Sequence, residues 1–397
     1  MNILVLTSKY PSDDTVYGFT PVVHYFAKEW VKQGNKVKVI HIQNKYPFLF
    51  YFIPNFVRKI FESKFGFAFP VLKMSTERIY TLENVFVHRF LIFRLSPFGG
   101  YFKSFVEKLY QKIVKSNTID DFVPDIIISH WTFPQILIMN MLSQRHNCKS
   151  AISFHDVPIL DKKSKNKFLS ELEKVSYIGF RSPRIYNEFI SKFHMNRKFY
   201  YCFSGVNEKY IINESSKDIQ YSVTKFLYVG TLVKRKNVDY VIKALANLSK
   251  EQECSLDIVG EGPEKQSLIN LTINYNLKAS FLGHLSHAQV LNQMSLAECF
   301  IMVSVNEVFG LVYLEAMAKG CIVVASKGEG MDGIIEHGIN GFLCQPGNEA
   351  ELVYILRKIT LLSLIEKKQI IENSISTAAK YTESKVAEKY LHELKDK

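Results

Sequence analysis

Glu307 and Glu315 lie at either end of an apolar stretch in "NEVFGLVYLEAMAKG", and Gly320 closes it. The run "CFIMVS" before them reads as a strand ending at Ser304. The spacing after it predicts a helix that starts at Gly310–Leu311 and stops at Gly320, a left-handed C-cap. The first amides of such a helix have no internal partners and its dipole is positive there, so its start suits an anion such as a diphosphate. A carboxylate is a poor ligand for phosphate and a good acceptor for hydroxyl groups. One glutamate can take sugar hydroxyls and the other ribose hydroxyls, with phosphates at the helix start between them. A nucleotide sugar has its parts in this order. Two acids near a helix start are ordinary surface charges when nothing surrounds them, so the neighbouring loops decide the matter.

In "GTLVKRKN", Lys234, Arg235 and Lys236 follow a strand ending at Tyr228–Gly230, in a loop expected to be exposed. "VGEGPEKQSL", with Gly260 and Gly262, and "FLGHLSHAQV" are also turns that follow strands. Gly328, Gly330 and Gly333 in "SKGEGMDGII" match G-x-G-x-x-G between a strand and a helix predicted at "DGIIEHG". The match comes late in its domain and no ribose-binding acid ends a following strand, so a dinucleotide cofactor is not expected. A glycine loop that lets backbone amides approach phosphates fits better.

These loops need a scaffold that brings strand ends together. The first half has strand-like runs at Ile3–Thr7, Val37–Ile42, Val85–Arg89, Asp125–Ser129 and Ala151–Phe154. A helix lies between the first two. Thr20 caps it, Pro21 sits in its first turn, Val22, Val23, Phe26, Ala27, Trp30 and Val31 form its apolar face, and Gly34 ends it. This βαβ start implies a parallel sheet with helices on both faces. The second half restarts the pattern at "KFLYVGTL", after a polar, patternless stretch near 203–222. The expectation is two Rossmann-like α/β domains, 1–205 and 206–376, that face each other across a ligand cleft. A C-terminal helix at 377–397 packs back on the first of them.

The 397 residues carry a net charge of +12, which favours anionic partners: nucleic acid, a membrane surface or a phosphorylated substrate. No nucleic-acid-binding motif is present. The six cysteines have no Cys-x-x-Cys spacing, which suits reduced, buried thiols in the cytosol rather than zinc or disulfides. No secretory signal opens the chain, and no run of about 20 apolar residues predicts a membrane span. Residues 46–116 interleave Phe and Tyr with Lys and Arg. Phe102, Phe105, Val106, Leu109, Tyr110, Ile113 and Val114 give one helix there an apolar face, and Lys103, Lys108, Lys112 and Lys115 its charges. A plain core helix or an anionic membrane surface would each use that pattern.

Taken together, the motifs resemble a known family. "SVNEVFGLVYLEAMAKGCIVVAS" is similar to the E-x7-E signature of the GT4 family of retaining glycosyltransferases. "VGTLVKRKN", "IVGEGP", "GEGMDGIIEHGINGFL" and "FSGVN" resemble its lysine loop, glycine-proline turn, glycine loop and hinge. "YGFTPVVHYFAKEWVKQGNKVKVI" and "ISFHD" resemble its first glycine loop and helix and its histidine-bearing strand end. The chain departs from the pattern at Thr231, where the family often has arginine and where Arg235 is the candidate substitute. It also has Gly320–Cys321 for the usual Gly-Pro, and Asn207 for aspartate.

The resemblance implies the GT-B fold and sugar transfer with retained configuration and no metal. No Asp-x-Asp motif offers a metal clamp. By the same resemblance, Arg235 and Lys236 neutralise the leaving diphosphate and Glu315 holds the ribose. Glu307 holds the transferred sugar, close to the backbone amides of Phe309, Gly310, Leu311 and Val312. Gly18 lets the first-domain loop approach the donor, as Gly260 and Gly262 do in the second. His155 faces the sugar or phosphate, and His130 in "ISHWTFP" contacts the acceptor. The donor is a nucleotide sugar used as substrate, with no cofactor. Family analogy gives a lipid-linked or saccharide acceptor in bacterial surface-polysaccharide synthesis, at the cytoplasmic face of the membrane. A nucleotide-sugar 2-epimerase on the same fold is the alternative.

Overall fold

The computed structural model describes residues 1–12, 21–54, 56–57, 76–96, 100–116, 118, 121–158, 160, 162–195, 197–213, 217 and 223–395. The chain forms two compact units, one of Met1–Gly179, Arg197–Tyr200 and Tyr390–Lys397, the other of Phe180–Asn196 and Tyr201–Lys389. These limits differ from a single cut at residue 205, because the chain changes unit several times.

Eight strands form the first sheet: β1 (Asn2–Thr7), β2 (Lys36–Lys45), β3 (Arg78–Leu82), β4 (Val85–Phe93), β5 (Ile126–His130), β6 (Lys149–Phe154), β7 (Tyr177–Phe180) and β8 (Phe199–Tyr201). Their order is β3-β4-β2-β1-β5-β6-β7-β8. β1 pairs in parallel with both β2 and β5, β2 with β4 and β5 with β6 are parallel too, and β3 joins β4 as an antiparallel hairpin. Ile3, Leu4, Val5 and Leu6 are fully buried, as expected for a central parallel strand covered on both faces.

The second sheet holds β9 (Lys225–Val229), β10 (Ser255–Val259), β11 (Ala279–Gly283), β12 (Cys299–Met302), β13 (Ile322–Ser326) and β14 (Phe342–Cys344). Their order is β11-β10-β9-β12-β13-β14, with every pairing parallel. Each sheet therefore reverses its direction of growth once, between β1 and β5 and between β9 and β12. Loops leaving the carboxyl ends of such neighbours diverge and leave room for a ligand.

The first helix runs Val22–Lys32 with Pro21 at its cap position, and Gly34 takes the left-handed conformation after it at φ +83°. The proposed cap Thr20 lies outside the described residues. The helix buries more than an apolar stripe. His24 is bonded to the Tyr10 hydroxyl at 2.9 Å and to Glu83 at 3.2 Å, and Lys28 reaches Glu83 at 3.6 Å.

The helix Lys103–Val114 buries Val106, Leu109 and Ile113 against the sheet and leaves its three lysines, and Lys115 just past its end, outside. Its apolar face is thus spent on the core. Among the described residues of 46–116, the exposed large apolar side chains are Phe48, Leu49, Phe52, Phe56, Ile79, Leu95 and Phe102.

One predicted element is absent. "DGIIEHG" forms turns with two isolated bridges, Asp332–Ile335 and His337–Gly341, and no helix. Gly333 and Gly338 both take left-handed φ values, +92° and +80°, within that short span, which no helix can accommodate. The glycine motif therefore lacks the helix that a dinucleotide site needs.

The five cysteines other than Cys148 are buried, and all six are free thiols. Burial pushes Cys254 and Cys321 up to about 11 and Cys344 up to about 12, so these thiols stay protonated and unreactive.

Candidate functional site

In the second unit, the loops after β9 and β12 carry the charged groups. Lys234–Lys236 form one turn of tight helix after β9, and the helix Leu311–Ala318 follows β12. Lys236 Nζ lies 2.5 Å from Glu307 Oε2 and 3.6 Å from Met302 Sδ. Ser304 Oγ donates to the same carboxylate oxygen at 3.2 Å, and Arg235 approaches it at 3.8 Å. The loop expected to be exposed is so only in part: Lys236 is 8% exposed, whereas the Arg235 side chain is 47% exposed. Glu307 draws Lys236 inward, since a lysine is buried this deeply only with a partner. Arg235 keeps more of its charge available to an incoming anion.

Gly310 precedes the helix at φ +83° and ψ +61°, with no side chain capping the helix start. A Cβ at this position would also lie 2.5 Å from the Tyr313 ring, so glycine is needed for both conformation and space. By helix geometry the amides of Leu311 and Val312 have no intrahelical partner and point out of the helix start. Phe309 contributes only its main chain. Its ring is buried, stacked on Phe203 at 5.6 Å and lying 5.7 Å from the Arg181 guanidinium.

Glu315, one turn further on, accepts from His287 Nε2 at 2.8 Å. That hydrogen bond raises the His287 pKa, with burial opposing it and Glu315 and Glu383 adding attraction. Only Oε1 of Glu315 is engaged with His287.

The remaining glycines have structural roles. A Cβ on Gly260 would lie 2.0 Å from the Gly230 carbonyl oxygen, and one on Gly262 would lie 2.3 Å from that of Leu232. The Gly260 amide is already bonded to the Gly283 carbonyl at 2.7 Å. These two turns press on the loop that leads to Arg235, and the geometry shows them shaping it. Gly330 does the same for the Glu307 loop: its Cβ would lie 2.5 Å from Phe309 Cα.

In the first unit, β5 and β6 end at His130 and before His155. Their side chains meet, His130 Nδ1 to His155 Nε2 at 3.0 Å. Trp131 stacks flat on His155 with centroids 3.9 Å apart and an interplanar angle of 13°, and Lys9 lies 5.5 Å above the Trp131 ring. Trp131 holds φ +66°, an uncommon value for a bulky residue. Gly18 lies outside the described residues.

Of the residues expected at the site, the structure brings Arg235 and Lys236 to Glu307, ahead of the helix that begins at Leu311, and it joins His130 to His155, which the sequence reading places separately. The sequence reading missed the residues that hold these in place. No spacing rule links His287 to Glu315, Trp131 to His155, or Glu329, which accepts the Glu307 amide at 2.7 Å and pairs with Arg184 at 3.1 Å, to the loop it supports. The one available signal was Glu329, an acid between two glycines of a quoted loop.

Residues 213–377 match the family model Glycosyl transferases group 1. The chain is similar to an uncharacterized glycosyltransferase of Methanocaldococcus jannaschii, 25% identical over 80% of this chain and 84% of that protein. It is also similar to the N-acetyl-alpha-D-glucosaminyl L-malate synthase of Bacillus anthracis, 23% identical over 67% of this chain and 71% of that enzyme. Among solved structures, Anabaena HepE in complex with UDP and glucose superposes with a TM-score of 0.67 at 17% identity, over 99% of both chains. The fold is accordingly GT-B, with two Rossmann-like domains.

Proposed function

We propose that this protein transfers a sugar from a nucleotide-sugar donor to a lipid-linked or saccharide acceptor, with retained configuration and without a metal. One observation carries the reading. Arg235, Lys236, Ser304 and Glu307 converge beside an uncapped helix start, at the point where β9 and β12 diverge. HepE, on the same fold, binds UDP and glucose, which supports a nucleotide-sugar donor here. The relatives reported above give the isomerase alternative no support.

Breaking the anomeric C–O bond leaves negative charge on the diphosphate and positive charge on the sugar ring. Arg235, Lys236 and the helix-start amides stabilise the first where it develops. Glu307 accepts hydroxyl hydrogen bonds from the sugar and Glu315 from the ribose. Once a diphosphate arrives, Lys236 is shared between it and Glu307, so the lysine links leaving group to sugar. His155, fixed by His130 and Trp131, faces the sugar or phosphate, and His130 helps hold the acceptor. Gly260 and Gly262 serve the donor indirectly, by shaping the loop that carries Arg235, and Gly18 lets backbone approach the donor.

A membrane-bound acceptor would suit the exposed Phe48, Leu49 and Phe52 and the outward lysines of Lys103–Val114, in docking on an anionic surface. Among the described residues no helix is long and apolar enough to cross a membrane. Cosedimentation with anionic vesicles at low salt, lost at high salt, supports this docking; a supernatant protein in every condition removes it.

Thermal shift with a panel of nucleotide sugars tests the main reading. A donor at 100 times its dissociation constant adds about 2.7 kcal/mol to stability. Glu307→Gln is expected to weaken binding of the sugar nucleotide while sparing the free nucleoside diphosphate, and Glu315→Gln to weaken both. A panel with no stabilising member refutes the proposal.

A further inference from the structure

Glu307 is held in two ways that have different origins. Its side chain is fixed by Lys236 and Ser304, as described. Its main chain is fixed by the loop after β13. Glu329 Oε1 accepts the Asn306 amide at 3.0 Å and its Oε2 accepts the Glu307 amide at 2.7 Å. The next residue returns the contact, with the Gly330 amide donating to the Glu307 carbonyl at 3.1 Å.

Arg184 neutralises this carboxylate, with Nε 3.1 Å from Glu329 Oε2, and donates to Asn306 Oδ1 at 2.7 Å. Asn306 is thereby kept at φ +56°, a left-handed conformation that turns the chain sharply ahead of Glu307. The Glu329 side chain is 14% exposed and that of Arg184 18%, so neither is a freely solvated charge.

We propose that Glu329, backed by Arg184, is the positioning residue that aims Glu307 at the donor sugar. The assignment rests on the donor-site reading given above. Glu329 acts through Glu307, since both of its oxygens are occupied by backbone amides. The chemistry explains why a carboxylate stands here. Two neighbouring N–H groups converge on it and need two acceptors. A glutamine would meet one of them with its own NH2 group, and an aspartate would keep both acceptors on a shorter arm. An ionised acceptor also makes the stronger bond to each amide.

The test measures how much tighter UDP-glucose, or whichever panel member binds, is held than UDP alone. This sugar increment reads Glu307, while UDP affinity reads the nucleotide contacts. Glu329→Gln is expected to cut the increment about tenfold, the scale of one lost charge-assisted hydrogen bond, with UDP affinity within about twofold of wild type. Glu329→Asp is expected to retain part of the increment. In a Glu307→Gln background, Glu329→Gln is expected to cost nothing further, because the two act as a unit. Hydrogen exchange at the Asn306 and Glu307 amides is expected to speed up in Glu329→Gln.

An intact increment in a folded Glu329→Gln, equal losses for UDP and the sugar nucleotide, or additive losses with Glu307→Gln each overturn the assignment and leave the donor reading standing. A wild type that shows no increment with any nucleotide sugar overturns the donor reading, and this assignment with it.

Discussion

The two sheets share a design and differ in what they place at the same point. In the first, the reversal between β1 and β5 is dressed with imidazole and indole rings: His130, His155 and Trp131, with Lys9 above. In the second, the reversal between β9 and β12 is dressed with Lys236, Arg235 and Glu307 beside a helix start. Fixed ionic charge, which stabilises charge separation, gathers at the second point. Aromatic rings, which present flat surfaces and adjustable protons, gather at the first. On the proposed reading, the charged strand end suits a leaving diphosphate and the aromatic one a largely uncharged sugar or acceptor.

The comparison breaks most visibly at Lys236. Lys236→Ala is expected to lower turnover by roughly 10²–10³-fold, as loss of one group that stabilises developing charge often does. Because Lys236 is buried against Glu307, removing it also leaves a carboxylate that is only 16% exposed with Ser304 and Arg235 as its remaining partners among the described residues. A stability loss of roughly 2–3 kcal/mol is therefore expected, at or below the lower end of the range for a buried pair left uncompensated. Steady-state kinetics and thermal unfolding check the two parts separately. Near-normal turnover would place the working charge on Arg235 alone.

A smaller effect is expected at the aromatic point. Trp131→Ala removes the ring that supports His155 and should lower turnover about tenfold, while nucleoside diphosphate affinity stays unchanged. The expected size is that of one lost aromatic contact, about 0.5–1.5 kcal/mol. Calorimetry with the nucleoside diphosphate and kinetics with the full donor separate the two. A large fall in diphosphate affinity would mean that the two strand ends do not divide the labour this way.

Much of the fold was legible because period and punctuation agree along the chain. All of the strands read from the first half exist, and so does the helix from Leu311 that Gly310 introduces. The misses have physical causes. Met331, Ile334 and Ile335 have helical spacing, but Gly333 and Gly338 adopt conformations that no short pattern reveals. Lys236 looked solvated because a basic run normally is, and only the position of Glu307, 71 residues away, buries it. The lysine helix read first as a core helix, and the sheet face that buries Val106, Leu109 and Ile113 is one the sequence does not display. Glu329 and Arg184 are held by backbone amides and by each other across long stretches of chain, so no local spacing marks them.

The smallest effect concerns proton binding, where two histidines of different units are expected to respond to pH with opposite sign. His24 is buried behind the first helix between Tyr10, Lys28 and Glu83, and burial lowers its pKa more than Glu83 raises it. His287 is half exposed beside Glu315, Glu383 and the Tyr210 ring, and the Glu315 hydrogen bond raises its pKa. A lowered folded pKa means that the unfolded chain takes up the proton first. His24 therefore costs stability as pH falls from the unfolded value of about 6.5 toward its folded value. A raised folded pKa works the other way. The His287 contribution is fully present below about 6.5 and is lost as pH rises through its folded value. With half of the His287 side chain in solvent, its contribution should be only about 0.3–0.5 kcal/mol. Native-state hydrogen exchange, corrected for the intrinsic pH dependence of exchange, reads each sheet separately. Between pH 5.5 and 8, amides of β1 and β5 should gain protection in wild type and less so in His24→Asn. Amides of β9 and β12 should lose a little in wild type and nothing in His287→Gln. Parallel trends in the two sheets would show that neither histidine sets the local response.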